Sequence, residues 1–142
     1  MKLLSKLCSL TALLLAAALL LSSCAGGINT DEADGLIEDL LSKISSGDYD
    51  GAEELLHPEK PLDLEKYFER KRAEHSLDYS RGFEIQRYTH KSYSRRNSKV
   101  GGSAYSVTFT AAVGYSLVEI TVEIVKNKAG YGIYNLSLEV ES

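Results

Sequence analysis

The chain has 142 residues, of which 44% are hydrophobic and 25% are charged, and its formal net charge at pH 7 is −4. This length is enough for one hydrophobic core and too short for two independent domains after any N-terminal leader is removed. The net negative charge argues against a protein that binds nucleic acid through its phosphates.

The N-terminus has the layout of a secretory signal peptide. Lys2 and Lys6 supply positive charge, an apolar run covers residues 10–21, and the next charged residue is Asp31. A positive segment followed by a short apolar segment is typical of a signal peptide. The alternative is a membrane-spanning helix, and the apolar run is at the short end of what a ~30 Å hydrocarbon core requires.

The residues Leu21-Ser22-Ser23-Cys24 resemble the bacterial lipobox, in which a branched apolar residue and two small residues precede a cysteine that accepts diacylglycerol. The resemblance implies that residues 1–23 are a lipoprotein signal peptide and that residues 24–30 are a lipidated cysteine and a short linker. Two acyl chains on one glyceryl group anchor a protein stably. The expected location is therefore the extracytoplasmic face of the cell membrane, where nucleic acid is not a partner. A plain signal peptide with a leftover cysteine is the alternative.

Residues 31–142 are predicted to form a single α+β domain without a disulfide, because the other cysteine, Cys8, is removed with the signal peptide. An apolar stripe with helical spacing predicts a first helix that Asn29 or Thr30 caps and Gly47 ends. The stripe consists of Ala33, Leu36, Ile37, Leu40, Leu41 and Ile44.

Two shorter helices are predicted after the first. Asp48 is a suitable cap for a helix that stops at His57-Pro58, and Asp63 is a suitable cap for a helix that fades near Leu77. Their apolar faces are narrow, and the remaining positions are polar and suited to solvent.

From residue 82 onward the hydrophobic period changes to two, which is typical of strands. Turn signals separate four such segments, at residues 82–93, 104–113, 115–125 and 131–140. The pattern predicts a four-stranded antiparallel sheet with the N-terminal helices packed on one face, an α+β architecture. The expected core consists of Leu36, Ile37, Leu40, Leu41, Ile44, Val118, Ile120, Val122 and Ile124.

The segment Ser46-Gly47-Asp48-Tyr49, followed by Ala52 and Leu55-Leu56, resembles small bacterial lipoproteins of the nuclear transport factor 2-like superfamily. The resemblance implies that the helices and a curved sheet form a cone with an open mouth. A cystatin-like arrangement, in which a similar sheet wraps one helix, is the competing fold. This superfamily contains both enzymes and binding modules, so the resemblance alone does not choose between them.

The sequence favours a non-enzymatic binding or interaction module at the cell envelope, whose partner is an envelope protein or a small ligand. The alternative is a small-molecule lyase or isomerase in which His75, Asp78 and Tyr79 act inside the cone as an acid-base pair with a tyrosine donor. The structural interpretation of the same residues is a helix end and a turn cap. No cofactor is expected, and no metal site, because the histidines lack companion ligands.

Charge is segregated along the chain. Residues 31–65 contain twelve acids and two bases, whereas residues 66–99 contain ten bases and four acids. One interpretation is that these segments pair across the surface, where each ion pair contributes little. The other is that the basic residues of segment 87–99 contact an anionic surface, such as lipid headgroups or wall polymers. These residues are Arg87, Lys91, Arg95, Arg96 and Lys99.

Overall fold

The computed structural model describes residues 26–142, so the predicted signal peptide and Cys24 lie outside the described residues. The described chain is α+β: three α-helices and a short 3₁₀ helix precede four strands that form one curved antiparallel sheet in the order β1-β2-β3-β4. The predicted α+β class and the predicted four-stranded antiparallel sheet are therefore confirmed. The elements are α1 (Thr30–Ser46), α2 (Tyr49–Glu53), α3 (Leu64–His75), the 3₁₀ helix (Tyr79–Arg81), β1 (Glu84–Asn97), β2 (Gly102–Val113), β3 (Ser116–Asn127) and β4 (Gly130–Val140).

The predicted caps set the boundaries of the helices. Asn29, rather than Thr30, caps α1, because its Oδ1 accepts the backbone N–H groups of Asp31 and Glu32 at 3.0 and 3.2 Å. Gly47 ends α1 in the left-handed conformation, with φ 75°. Asp48 and Asp63 cap α2 and α3 in the same way, each accepting an N–H three residues later.

The second helix is shorter than predicted, because it ends at Glu53 and not at His57. The residues that follow pair with the edge of the sheet instead. Leu55 O accepts the N–H of Ile133 at 2.9 Å, and the N–H of His57 donates to Ile133 O at 2.8 Å. The backbone groups of this segment are thus satisfied by β4, so they do not need a further helical turn.

The core lies between α1 and one face of the sheet. The stripe of α1 contributes Ala33, Ile37, Leu40, Leu41 and Ile44, and β3 contributes Val118, Ile120, Val122 and Ile124, all of them buried. Leu36, which was predicted to belong to the core, is only half-buried and packs against the margin of the cluster. It lies at the edge of the helical stripe, where one side of the residue is open to solvent.

The first strand is longer than predicted. β1 continues to Asn97, which pairs with Gly102, so the turn is confined to residues 98–101. Arg95 and Arg96 therefore belong to a strand and not to a loop. Register shifts interrupt the pairing of β1 at three places, and such bulges bend an edge strand.

The segment before α1 is packed on the domain. Ile28 is buried in the core cluster, and Gly26 and Gly27 lie against the sheet, although residues 24–30 were predicted to be a linker. The buried core cluster of segment 26–142 is formed by residues between Ile28 and Leu138. No helix of this segment is both long and apolar enough to cross a membrane.

Candidate functional site

The three residues predicted as catalytic candidates each make separate contacts, and His75 and Tyr79 do not line the pocket that Asp78 lines. His75 lies at the end of α3 with its side chain 38% exposed, and its Nε2 is 3.9 Å from Glu74. Asp78 is exposed and caps the 3₁₀ helix, where its Oδ1 accepts from the N–H and the hydroxyl of Ser80 at 3.1 and 2.5 Å. Tyr79 is buried, and its hydroxyl donates to Phe68 O at 2.9 Å. Asp78 and Tyr79 thus have the contacts of structural residues.

The pKa shifts of this group also oppose acid-base chemistry. The hydrogen bond from the Ser80 hydroxyl lowers the pKa of Asp78, and burial raises the pKa of Tyr79 above its ordinary value. A general acid or base works best when its pKa is close to the working pH. Both shifts move the pKa of the residue further from neutral pH. Asp78 and Tyr79 are therefore poorly suited to proton transfer.

His57 has a structural role that the sequence did not indicate. It is 1% exposed, and its Nδ1 accepts the N–H of Glu59 at 3.0 Å. Nδ1 therefore carries no proton, so Nε2 is the donor to Asn127 Oδ1 and Gly130 O, at 3.0 and 3.2 Å. The ring fastens the loop after α2 to the turn between β3 and β4. Within residues 26–142 no cluster of histidine, cysteine and carboxylate side chains could hold a metal ion.

The basic residues predicted to contact an anionic surface fall into separate environments. Lys91 is used within the fold: its Nζ donates to Asp34 Oδ2 at 3.1 Å and lies 4.3 Å from the centre of the Tyr88 ring. The hydrogen bond to Asp34 raises the pKa of Lys91. Arg87 is exposed and pairs with Thr110 in the register of β1 and β2. Neither residue lines the cleft described next.

A basic cleft lies at the end of the sheet where the β1–β2 turn and the β3–β4 turn are side by side. Its volume is about 320 Å³, and its charged lining residues are Arg95, Arg96, Lys126 and Lys128. The remainder of the lining is small or uncharged: Gly26, Gly27, Gly101, Gly102, Ser103 and Asn127. Lys99 lies in the β1–β2 turn at the same end.

The two lysines of the basic cleft could not be assigned to it from the sequence pattern. They are some thirty residues from Arg95 along the chain, and the sheet register brings them close by pairing Ser103 with Lys126 and Gly102 with Asn127. The signal that could have found them is the lysine on either side of Asn127 in a predicted turn. In a four-stranded antiparallel sheet of this order, the β1–β2 turn and the β3–β4 turn lie at the same end of the sheet. The residues that flank the two turns are therefore close together.

The four cations of the basic cleft are not neutralised by the protein. Among residues 26–142 no carboxylate lies within 4.0 Å of Arg95, Arg96, Lys126 or Lys128, although seven ion pairs form elsewhere. Residues 1–25 contain no aspartate or glutamate. A concave site lined by charges of one sign concentrates its field and attracts the opposite charge. The cleft is therefore suited to an anion.

A second cleft, of about 240 Å³, is mostly apolar and lies between the loop after α2 and β4. Leu56, Leu62, Tyr67 and Leu136 contribute to its lining. Lys60 lies over the Tyr134 ring at its margin, with Nζ 5.0 Å from the ring centre. Its polar groups are few, and the Tyr67 hydroxyl is already used, accepting the N–H of Leu138 at 2.9 Å.

The fold and the site together define a small α+β domain with an unneutralised basic cleft beside its N-terminal segment. No family model, no curated protein and no solved structure matches this chain.

Proposed function

We propose that this chain is a lipid-anchored protein of the extracytoplasmic face of the cell membrane, and that its domain is a non-enzymatic binding module. In this proposal residues 1–23 are removed as a signal peptide and the lipid is attached to Cys24. The domain then acts on an envelope protein or a small ligand close to the membrane, without a cofactor.

One observation carries the proposal: the chain entering the domain is held at the basic cleft. Gly26 lies beside Lys126, since a Cβ built on Gly26 would be 3.8 Å from Lys126 Nζ. Two residues separate Gly26 from Cys24, and an extended chain spans at most about 7 Å over that distance. A lipid on Cys24 would therefore emerge next to the basic cleft, which is a favourable arrangement beside an anionic membrane.

The non-enzymatic assignment is supported by the positions of His75, Asp78 and Tyr79. The first two are exposed, and the hydroxyl of the third is bonded to a backbone carbonyl within the protein. The face of the sheet that receives the helices is filled by large buried side chains, among them Phe68, Leu40 and Phe109. Binding at the surface is therefore better supported than chemistry inside a cone.

We extend the proposal to the fold family: the domain belongs to the nuclear transport factor 2-like superfamily, in a variant with a filled cone. The arrangement that supports this assignment is a long helix and shorter helices followed by a curved four-stranded antiparallel sheet. Three α-helices before the sheet, instead of one, favour this family over the cystatin-like alternative.

The test is the chemical state of the N-terminus in the protein produced in bacteria. Intact-mass measurement of the membrane-extracted protein should give residues 24–142 with a diacylglyceryl group on Cys24. The Cys24→Ser variant should accumulate as the unprocessed precursor and lose detergent-phase partitioning of the mature form. Cys8→Ser is the matched control, because it removes the other cysteine of the chain and should be processed normally. Mature protein with an unmodified N-terminus at another residue would overturn the proposal.

A further inference from the structure

We infer that the basic cleft binds the phosphate headgroups of anionic phospholipids, in the same leaflet that holds the lipid on Cys24. The domain would then stand on the membrane with its β1–β2 and β3–β4 turns toward the bilayer. This inference rests on the proposed function for its orientation, and it adds a ligand class and a set of contact residues.

The cleft is preorganised by hydrogen bonds that do not involve the charged groups of its cations. Asn127 connects the two turns, because its Nδ2 donates to Val100 O at 2.8 Å, while its Oδ1 accepts the N–H groups of Ala129 and Gly130 at 3.0 and 3.2 Å. The Ser103 hydroxyl donates to Arg95 O at 3.0 Å. The backbone around the cleft is therefore fixed before a ligand arrives, which reduces the entropy lost on binding.

Two glycines of the cleft lining allow neighbouring parts of the chain to approach closely. A Cβ on Gly102 would collide with the backbone of Lys126 and Asn127, so a side chain at this position would push the two hairpins apart. Gly27 passes beneath the Tyr93 hydroxyl, where a side chain would overlap with it. The lining of the cleft thus combines four cationic side chains with four glycines, so no large side chain blocks a phosphate group from the charges.

The lipid on Cys24 would hold the domain at the membrane, so phospholipid headgroups are the nearest source of phosphate. Because Cys24 is at most about 7 Å from Gly26, the cleft stays close to the headgroup layer for as long as the lipid is inserted. Attraction between exposed charges acts over about 8 Å at physiological ionic strength, so the cations fall within reach of the leaflet. Tethering also raises the effective concentration of headgroups at the cleft.

The cleft divides the basic residues of segment 87–99. Arg95 and Arg96 belong to it, and Lys99 lies in the adjoining turn. Arg87 precedes Arg96 by nine residues of strand, which corresponds to roughly 30 Å of extended chain. Lys91 is engaged with Asp34. Membrane contact should therefore depend on the end of β1 and on the β3–β4 turn, and not on the whole basic segment.

The test uses segment 26–142, which contains the core cluster from Ile28 to Leu138 and lacks the anchor, so that any vesicle binding comes from the domain itself. Circular dichroism first confirms that the segment is folded. Co-sedimentation is measured with vesicles of phosphatidylcholine alone and of phosphatidylcholine containing about a third phosphatidylglycerol. We expect binding only to the second kind, with affinity that falls as salt is raised.

Two double variants with the same change in net charge distinguish the cleft from diffuse attraction. Arg96→Glu with Lys128→Glu alters two exposed residues of the cleft, and Arg81→Glu with Arg87→Glu alters two exposed residues away from it. We expect the cleft variant to lose affinity by about 25-fold or more, at about fivefold for each basic residue near an anionic surface, and the control to lose less than about threefold. Equal losses in both would overturn the cleft as the site.

Thermal unfolding followed by circular dichroism checks that each variant is folded, and Arg96→Gln with Lys128→Gln replaces the charge reversal if it is not. Soluble poly(glycerol phosphate) is the competitor that represents a wall polymer. Binding to this polymer without binding to phosphatidylglycerol vesicles would overturn the assignment to lipid. Lipidation of Cys24 is measured separately by intact mass. If the protein is lipidated but its domain does not bind anionic vesicles, this inference is wrong and the proposed function is unaffected.

Discussion

Tyr105 on β2 donates a hydrogen bond from its hydroxyl to Asp34 Oδ1 on α1 over 2.8 Å, and this contact joins the sheet to the first helix. Tyr105 is 3% exposed, and burial, followed by the hydrogen bond to Asp34, raises its pKa. The second oxygen of Asp34 accepts from Lys91 on β1. One carboxylate thus fixes α1 over two neighbouring strands.

Asp34→Ala should lower the free energy of unfolding by about 1–3 kcal/mol, because it leaves the buried Tyr105 hydroxyl without its acceptor. Chemical denaturation with urea measures the change. Asp39→Ala is the control on the same helix, since Asp39 forms only a partly exposed ion pair with Lys43 and should cost less than about 1 kcal/mol. The double variant Asp34→Ala with Tyr105→Phe should lose less unfolding free energy than the sum of the losses of the two single variants. Full additivity would show that the hydrogen bond contributes nothing.

Leu40→Ala should cost about 2–5 kcal/mol of unfolding free energy, because the side chain is 0% exposed and its removal leaves a cavity between α1 and the sheet. Leu36→Ala makes the same chemical change one helical turn earlier at a half-buried position. It should cost clearly less. Similar losses at the two positions, measured by denaturant titration, would mean that α1 does not present the face seen in the structure.

His57→Ala should loosen the loop after α2 and the β3–β4 turn together. The substitution removes the acceptor of the Glu59 N–H and the donor to Asn127 and Gly130, at an expected cost of about 1–3 kcal/mol. Hydrogen exchange should be faster at the Glu59 amide in particular. His90→Ala, at an exposed position of β1, should change stability by less than about 0.5 kcal/mol. Unaltered exchange at Glu59 would contradict the assigned role.

The sequence predicts the parts of this fold that depend on local chemistry. The stripe of α1, the caps Asn29, Asp48 and Asp63, and the left-handed Gly47 each involve residues only a few positions apart. These features were therefore readable from spacing alone. The end of α2 was not, because the competing partner of Leu55 is Ile133, far away along the chain.

In the candidate site, too, the residues close together in sequence were predictable and the distant ones were not. Arg95 and Arg96 were recognisable as a basic cluster, but Lys126 and Lys128 join them only through the strand register. The structural role of His57 was missed for a related reason, because its partners Asn127 and Gly130 lie seventy residues later. A site formed by residues from two hairpins depends on strand pairing, so the pattern of residues along one strand does not predict it.

Stability should fall in alkaline solution as the half-buried Tyr49 is forced to ionise. Burial, together with the hydrogen bond to Glu69, raises the pKa of Tyr49 from its ordinary value of 10.0 to about 12. The unfolded chain therefore releases this proton first, so the stabilisation is complete below pH 10 and is lost as the pH rises toward about 12. Tyr49→Phe should make the unfolding free energy less dependent on pH in this window, and should remove an ionisation step near pH 12 from the ultraviolet titration. An unchanged titration curve would show that Tyr49 is not responsible.

Gly132→Ala should separate the loop after α2 from β4, whereas Gly35→Ala should stabilise the domain. A Cβ on Gly132 would lie 2.6 Å from His57 N and 2.8 Å from Leu55 O, and these atoms belong to backbone that is itself hydrogen-bonded to Ile133. The backbone must therefore move, and we expect a loss of about 1–3 kcal/mol with faster exchange at the His57 amide. Gly35 is exposed within α1 and has nothing within 4 Å of its Cβ position, so alanine there should add about 0.5–1 kcal/mol by its helix propensity. Urea denaturation measures the change in unfolding free energy, which should be negative for Gly132→Ala and positive for Gly35→Ala. If Gly132→Ala leaves the unfolding free energy unchanged, segment 55–57 and β4 are not in backbone contact.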